Sequence, residues 1–188
     1  MSPESGKVLW HVTMSLDGFI AGPGDTMDWV FKPVSGPDAD VAEVMLTLGA
    51  VLVGRRSYDV GQRAKRPEMR KVYGGAWSGP QIVLTHTPPS PPPDETITFL
   101  SSDIHTAVET ALGAARGKNV VIIGADVARQ CIEAGLVDEI LVHVAPVLLG
   151  DGVPLFARDG GAAPPIELET VSVTRVGEMT TLRFRVKR

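Results

Sequence analysis

Two stretches of this chain join a buried-strand pattern to a glycine and a set of hydrogen-bond donors, and the chemistry such a pattern serves is anion binding. In the first, Val120-Val121-Ile122-Ile123 is an apolar, β-branched run that stops at Gly124 and passes at once into residues of helical spacing as far as Gly135. It reads as a buried strand turning sharply into a helix. The first turn of a helix leaves backbone N–H groups without partners at the positive end of its dipole, and a glycine lets a phosphate approach them. A tight strand-to-helix turn with no ligand is the simpler use of Gly124, and one stretch alone does not choose between the two. In the second, Ala50-Val51-Leu52-Val53 runs into Gly54-Arg55-Arg56-Ser57-Tyr58. Two guanidinium groups and a hydroxyl offer charge-assisted hydrogen bonds to phosphate, with a solvated basic turn as the alternative. A third strand, Gln81-Ile82-Val83-Leu84, ends at Thr85-His86, polar groups suited to a ribose or a phosphate.

The rest of the pattern supplies the elements that must hold these ends. Lys7 to Ser15 is dense in apolar residues, as in a central strand, and Leu16 to Asp25 reads as a long glycine- and proline-marked loop. Met27-Asp28-Trp29-Val30-Phe31 follows, aromatic enough to wall a pocket or to join the core. Val41, Val44, Met45 and Leu48 predict a helix that Pro37 can start and Gly49 can stop. Residues 62–79 have no clean period and read as loop, and the prolines between Pro88 and Pro93 as a stiff surface connector. Ile97 to Leu100 is a short strand. Ser102 or Asp103 caps a helix whose apolar face is Ile104, Ala107, Val108, Ala111, Leu112 and Ala115. Ile140 to Leu149 is a further buried strand ending in Gly150-Asp151-Gly152, and alternation over residues 166–175 and 180–186 predicts an antiparallel hairpin. The expected fold is α/β, in three layers: a central mixed, mostly parallel sheet flanked by helices, with a C-terminal antiparallel hairpin, all in one domain spanning residues 1–188.

Composition narrows the function classes. Eighteen Lys and Arg against 22 Asp and Glu give a formal charge of -4 with no basic block, which speaks against a nucleic-acid partner. The single cysteine, Cys131, forms no internal disulfide and sits in the predicted helix after Gly124 as a small apolar residue. No basic-then-apolar leader and no stretch of bilayer length appear, so neither secretion nor a membrane is expected, and a cytoplasmic setting fits. No metal ligand set is expected.

Several motifs, in order, resemble the dihydrofolate-reductase-like superfamily, and most closely its branch holding the RibD C-terminal reductase domain of bacterial riboflavin biosynthesis and the small dihydrofolate reductase family proteins. They are residues 14–22 (MSLDGFIAG), residues 53–58 (VGRRSY), Ile123-Gly124-Ala125, and residues 133–139 (EAGLVDE) running into residues 146–152 (PVLLGDG). The resemblance implies an NADPH site at the carboxyl ends of the strands. By position, Gly54, Arg55, Arg56 and Ser57 hold phosphates; Thr85 and His86 lie near the adenosine 2′-phosphate; Gly124, Ala125, Asp126 and Val127 lie against the pyrophosphate; and Ala21 and Gly22 lie by the nicotinamide. It also implies a homodimer. Three positions depart from the family's habits: Ala125 where a second glycine is frequent, Val34 where folate reductases place a carboxylate five residues after the tryptophan (here Trp29), and Phe19 where riboflavin-pathway reductases often carry lysine after Asp17-Gly18.

The expected activity is therefore NADPH-dependent transfer of hydride to a C=N or C=O bond of a small heterocyclic or sugar-derived substrate, pterin- or riboflavin-pathway-like. Asp28 is the expected proton donor or substrate anchor, with Asp17 second; a carboxylate that only steadies the turn at Gly18 is the other use of Asp17. A nucleotide-binding protein on the same scaffold without turnover, and a flavin-binding oxidoreductase, are the alternatives.

Overall fold

A strand formed by Val8–Ser15 (β1) lies inside an eight-stranded sheet with both of its edges paired; Val8, Trp10, Val12 and Met14 make one face wholly apolar, and Leu9 begins the other. The computed structural model describes residues 6–30, 38–65, 67–158 and 164–188. In chain order the remaining elements are β2 (Phe19–Ala21), α1 (Ala39–Thr47), β3 (Leu48–Gly54), α2 (Arg55–Arg63), β4 (Gln81–Leu84), β5 (Ile97–Leu100), α3 (Ile104–Ala115), β6 (Asn119–Ile123), α4 (Ala125–Glu133), β7 (Glu139–Ala145), β8 (Val153–Pro154), β9 (Leu168–Val176) and β10 (Met179–Val186). Short 3-10 turns occupy Pro23–Asp25, Pro67–Arg70 and Val72–Gly75.

The strand order is β5-β4-β3-β6-β1-β7-β10-β9. The six strands from β5 to β7 are parallel, and β10 and β9 add antiparallel at the end. This is the mixed, mostly parallel sheet with a C-terminal hairpin that the pattern predicts, and its turn is the pair Gly177-Glu178. Alternation within the strands splits the core in two. Trp10, Leu52, Ile122 and Val142 face α3 and α4, whose Val108, Ala111, Val127 and Cys131 close over them. Leu9, Val51, Val121 and Leu141 face the opposite way, beneath Val44 of α1 and Tyr58 of α2.

Local chemistry sets the helix ends. Asp103 caps α3, accepting a hydrogen bond from Thr106 N at 3.0 Å, and Asp38 caps α1, accepting from Asp40 N at 2.9 Å and Val41 N at 3.1 Å. Pro37, expected to start α1, lies outside the described residues, as do Phe31 and Val34.

Four local expectations change. The strand expected from Ile140 to Leu149 stops at Ala145, and Leu148 beyond it is exposed. Gly49 does not stop the helix; it sits inside β3, where a Cβ would come within 2.5 Å of Ala115 O, so the glycine is there to let the end of α3 approach the strand. Residues 55–63, expected as a polar turn leading to loop, form α2, which is too polar to show an apolar period because it buries little besides Tyr58 against Phe99. The loop after β1 contains β2, which pairs antiparallel with β8 and ties the two glycine-rich segments together.

Candidate active site

The parallel strands deliver the expected donor residues to a single edge. Val53 of β3 pairs with Ile123 of β6, so Gly54 and Gly124 follow side by side; Gly54 pairs in turn with Leu84 of β4, and Thr85 comes next. Gly54 is the N-cap of α2 and Gly124 the N-cap of α4, and neither helix has a side-chain cap. The contrast with α1 and α3, both capped by aspartate, is informative: the two helices that begin at this edge leave their first-turn N–H groups open. Their N-termini also touch. A Cβ on Gly54 would lie 3.1 Å from Val127 Cγ2, and a Cβ on Gly124 would lie 2.6 Å from Ser57 Oγ. Gly124 adopts φ 111°, ψ 136°, a conformation only glycine takes without strain. Two positive helix ends thus converge on one place, which suits a pyrophosphate.

The arginines are anchored rather than free. Arg55 donates from Nε to Asp59 at 2.9 Å and from Nη1 to Thr87 O at 3.2 Å, and Arg56 donates from Nη2 to Asp25 at 2.7 Å. Arg56 remains 70% exposed at its side chain and can turn to a phosphate at the cost of a surface ion pair, about 0.2–1 kcal/mol. Thr85 is buried, its Oγ1 accepting from the N–H of Thr87, the residue whose carbonyl accepts from Arg55, and His86 is exposed. In the first turn of α4, Val127 is buried and Ala125 half-buried, while the exposed Asp126 carboxylate accepts from Arg129 and Gln130, both at 2.8 Å.

The loop after β1 closes the other side. Ala21 and Gly22 are buried, and Gly152 packs so tightly on the Ala21 carbonyl that a Cβ there would overlap it. Asp17 is the clasp of this loop: it accepts from Ser15 Oγ at 2.6 Å, from Gly150 N at 2.7 Å and from Leu149 N at 3.0 Å. These donors, Ser15 foremost, hold its carboxyl down to about 2, so it is ionised at neutral pH and fully engaged. Asp28 lies in an exposed turn next to Trp29, whose Nε1 donates to Thr26 O, and its carboxylate has no hydrogen bond among the described residues.

One group of side chains was not singled out by sequence reading. His11 on β1, His143 on β7 and Tyr73 form hydrogen bonds in a row on the α1 side of the sheet. The available signal was a histidine at an inward position of each of two apolar strands, residues 7–15 and 140–149. Among the described residues no group of three or more metal-ligating side chains occurs, and no helix is long and apolar enough to cross a membrane.

Comparison with known proteins agrees with this architecture. The chain matches the model of the RibD C-terminal domain over residues 6–182 and belongs to that family. It is 29% identical over 156 residues, 80% of each chain, to the uncharacterised protein YyaP of Bacillus subtilis. A solved structure from Shewanella sp. PV-4, provisionally a riboflavin biosynthesis protein, superposes with a TM-score of 0.77 at 22% identity, covering 97% of this chain and 99% of that one. The diaminohydroxyphosphoribosylaminopyrimidine deaminase/5-amino-6-(5-phosphoribosylamino)uracil reductase of Thermotoga maritima superposes at 0.66 and 16% identity; this chain covers 57% of its length.

Proposed function

We propose that this member of the RibD C-terminal domain family is an NADPH-dependent reductase acting on a C=N or C=O bond of a small heterocyclic or sugar-derived substrate. The observation that carries the reading is the pair of uncapped helix N-termini, α2 at Gly54 and α4 at Gly124, packed against each other at the carboxyl edge of the sheet. A dinucleotide presents one pyrophosphate, and this pair of ends is the matching donor set. When bound, NADPH supplies the hydride.

The chain's own residues do the positioning. Backbone N–H groups of residues 55–57 and 125–127 hold the pyrophosphate, and Arg55, with Thr85 and His86 on the neighbouring strand end, faces the 2′-phosphate. Arg56 exchanges Asp25 for a phosphate oxygen. The buried Ala21-Gly22 turn, fixed by the Asp17 clasp and by Gly152, supports the nicotinamide. Asp28, exposed and unengaged, anchors the substrate. Holding both rings in one geometry is where most of the rate comes from in such a site. The protein is expected to work as a homodimer, without nucleic acid or membrane.

The test is thermal unfolding with NADPH, NADH and FMN side by side, followed by NADPH oxidation over a panel of carbonyl and pterin compounds. A ligand that binds only the folded state raises its stability by about 2.7 kcal/mol at 100 times its dissociation constant. A clear upward shift with NADPH is expected, smaller with NADH and none with FMN. No shift with millimolar NADPH refutes the cofactor assignment, and binding without oxidation on any compound favours a nucleotide-binding protein instead.

A further inference from the structure

Four side chains from four separate segments form one hydrogen-bonded row on the sheet face covered by α1. Tyr73 Oη lies 2.7 Å from His11 Nδ1, His11 Nε2 lies 2.7 Å from His143 Nε2, and His143 Nδ1 lies 2.8 Å from Thr181 Oγ1. Asp38 Oδ2 stands 3.7 Å from that same His143 nitrogen. The row runs at the level of the proposed cofactor. β1 and β6 pair through Trp10 and Ile122, so His11 stands one residue further along, beside Ile123, with Gly124 next. At the strand spacing of about 5 Å, the His11 backbone is about one strand away from the glycine turn. His143 and Thr181 are buried, whereas His11 and Tyr73 keep part of their surface, so the row has a closed end and an open one. Tyr73 is held at φ 50°, ψ 38°, a left-handed conformation disfavoured for any residue with a Cβ, and this places its hydroxyl on His11.

We propose that Tyr73 is the proton donor of the reductase and that His143 and His11 recharge it as a two-step relay; the proposal rests on the reductase reading above. Adding hydride from a reduced nicotinamide to the carbon of C=O or C=N leaves the electron pair of the broken π bond on the heteroatom. The Tyr73 O–H bond breaks as the new O–H or N–H bond of the product forms. His11 Nδ1–H reprotonates the phenolate, and His143, in the fraction of molecules in which it is imidazolium, a fraction that grows as pH falls, passes its Nε2 proton to His11 Nε2. His143 finishes neutral with Nδ1–H still directed at Thr181; once product leaves, water at the open Tyr73 end returns the one proton consumed, which passes back along the row from Tyr73 to His11 Nδ1 and from His11 Nε2 to His143. Tyr73 is thus the catalytic residue, and the two histidines act through it.

The surroundings divide the two rings into conductor and reservoir. Burial, with the neighbouring His143, holds His11 at about 3, so it stays neutral. Burial also lowers His143, and Asp38 and Asp40 on α1 offset only part of this, so His143 titrates below its ordinary value and is the first of the two rings to charge as pH falls. Burial raises Tyr73 above the ordinary phenol value, which keeps it protonated until a stronger base forms beside it. The remaining charges near this face, Lys7, Glu139, Arg183 and Glu43, compensate one another, with Lys7 and Glu139 four residues before His11 and His143 on their strands.

The experiment uses the full chain with NADPH and two probe substrates, 4-nitrobenzaldehyde and 7,8-dihydrofolate, together with nitrogen-15 NMR of the imidazoles. Tyr73→Phe is expected to lower kcat by about a hundredfold with little change in KM. His143→Gln is expected to lower kcat about tenfold and to remove the fall in kcat as pH rises. In the NMR titration, independent of turnover, the two rings titrate as a coupled pair below 6.5, and His143→Gln raises the titration of His11. Turnover by the wild type with full kcat and an unchanged pH profile in Tyr73→Phe overturns the relay alone, as do two imidazoles that titrate independently near 6.5. A wild type that neither gains stability from NADPH nor oxidises it with either probe overturns the reductase reading itself, a result visible without any variant.

Discussion

Replacing Gly124 by alanine separates the structural demand at the strand-to-helix turn from its role in binding. Two costs arise. The backbone at φ 111°, ψ 136° is a glycine region, and holding a Cβ there costs about 1–3 kcal/mol. The new methyl group would also sit 2.6 Å from Ser57 Oγ, an overlap that forces α2 or α4 to shift at about 1–3 kcal/mol, as overpacking does elsewhere. The sum, about 2–6 kcal/mol, corresponds to a fall in Tm of about 4–24 °C for a chain of this size. Urea unfolding followed by tryptophan fluorescence measures the loss directly. The second substitution Ser57→Ala removes the Oγ atom and leaves the Ser57 Cβ at an ordinary 3.5 Å, so the double variant is expected to regain the overlap share and not the backbone share. A loss below about 0.5 kcal/mol with an unchanged m-value refutes the claim that this turn requires glycine. Equal stability of the single and double variants refutes the contact between the two helix ends. If stability falls but NADPH still protects the variant as well as the wild type, the turn is structural only.

Acid is expected to destabilise the protein early. Both imidazoles titrate below their ordinary value in the folded chain, so below pH 6.5 the unfolded chain binds more protons; the stabilisation is complete above pH 6.5 and is lost on descent toward about 3. Urea midpoints that stay flat from pH 7.5 to pH 4.5 would contradict this, and His11→Gln is expected to flatten them. Asp17→Asn is expected to speed hydrogen exchange at the Leu149 and Gly150 amides, which lose their carboxylate acceptor, while amides of β4 stay unchanged. Unchanged exchange at those two amides would show that the loop needs no clasp. Arg183→Met leaves the buried Glu139 carboxylate with Lys7 alone and is expected to cost about 2–4 kcal/mol; adding Glu139→Gln is expected to restore part of it, since the unpaired charge is gone. Cys131 is fully buried and its thiol is pushed up to about 12, so native protein at pH 8 is expected to resist a thiol reagent that labels it rapidly in urea.

Much of the architecture is local in origin and therefore readable from the residues in order. Val120 to Ile123 are β-branched and apolar on both faces, so they had to be a central strand, and the run from Ile104 to Ala115 has a helical apolar face with Asp103 as its cap. The alternation in β9 and β10 likewise announces a hairpin. What failed to show was structure without a local period. α2 hides because it packs through little more than Tyr58, and Gly49 looked like a helix stop because its reason, the approach of Ala115, lies in a distant element. β2 escaped notice because a three-residue strand exists only through its partner β8.

The same distinction governs the site. Residue types and spacing by themselves determined the glycine-ended strands, the arginines after Gly54, the polar pair after Leu84 and, through their order, the family. Only the tertiary structure decided that Gly54 and Gly124 stand side by side, that Arg55 and Arg56 are held by Asp59 and Asp25, and that Asp17 is a saturated clasp. Only it brings His11, Tyr73 and His143, up to 132 positions apart, into one row. The physical reason is range. Propensity and capping act over a few residues and are written in consecutive letters, whereas strand order and register, fixed by the burial of both sheet faces, decide which distant side chains share a face.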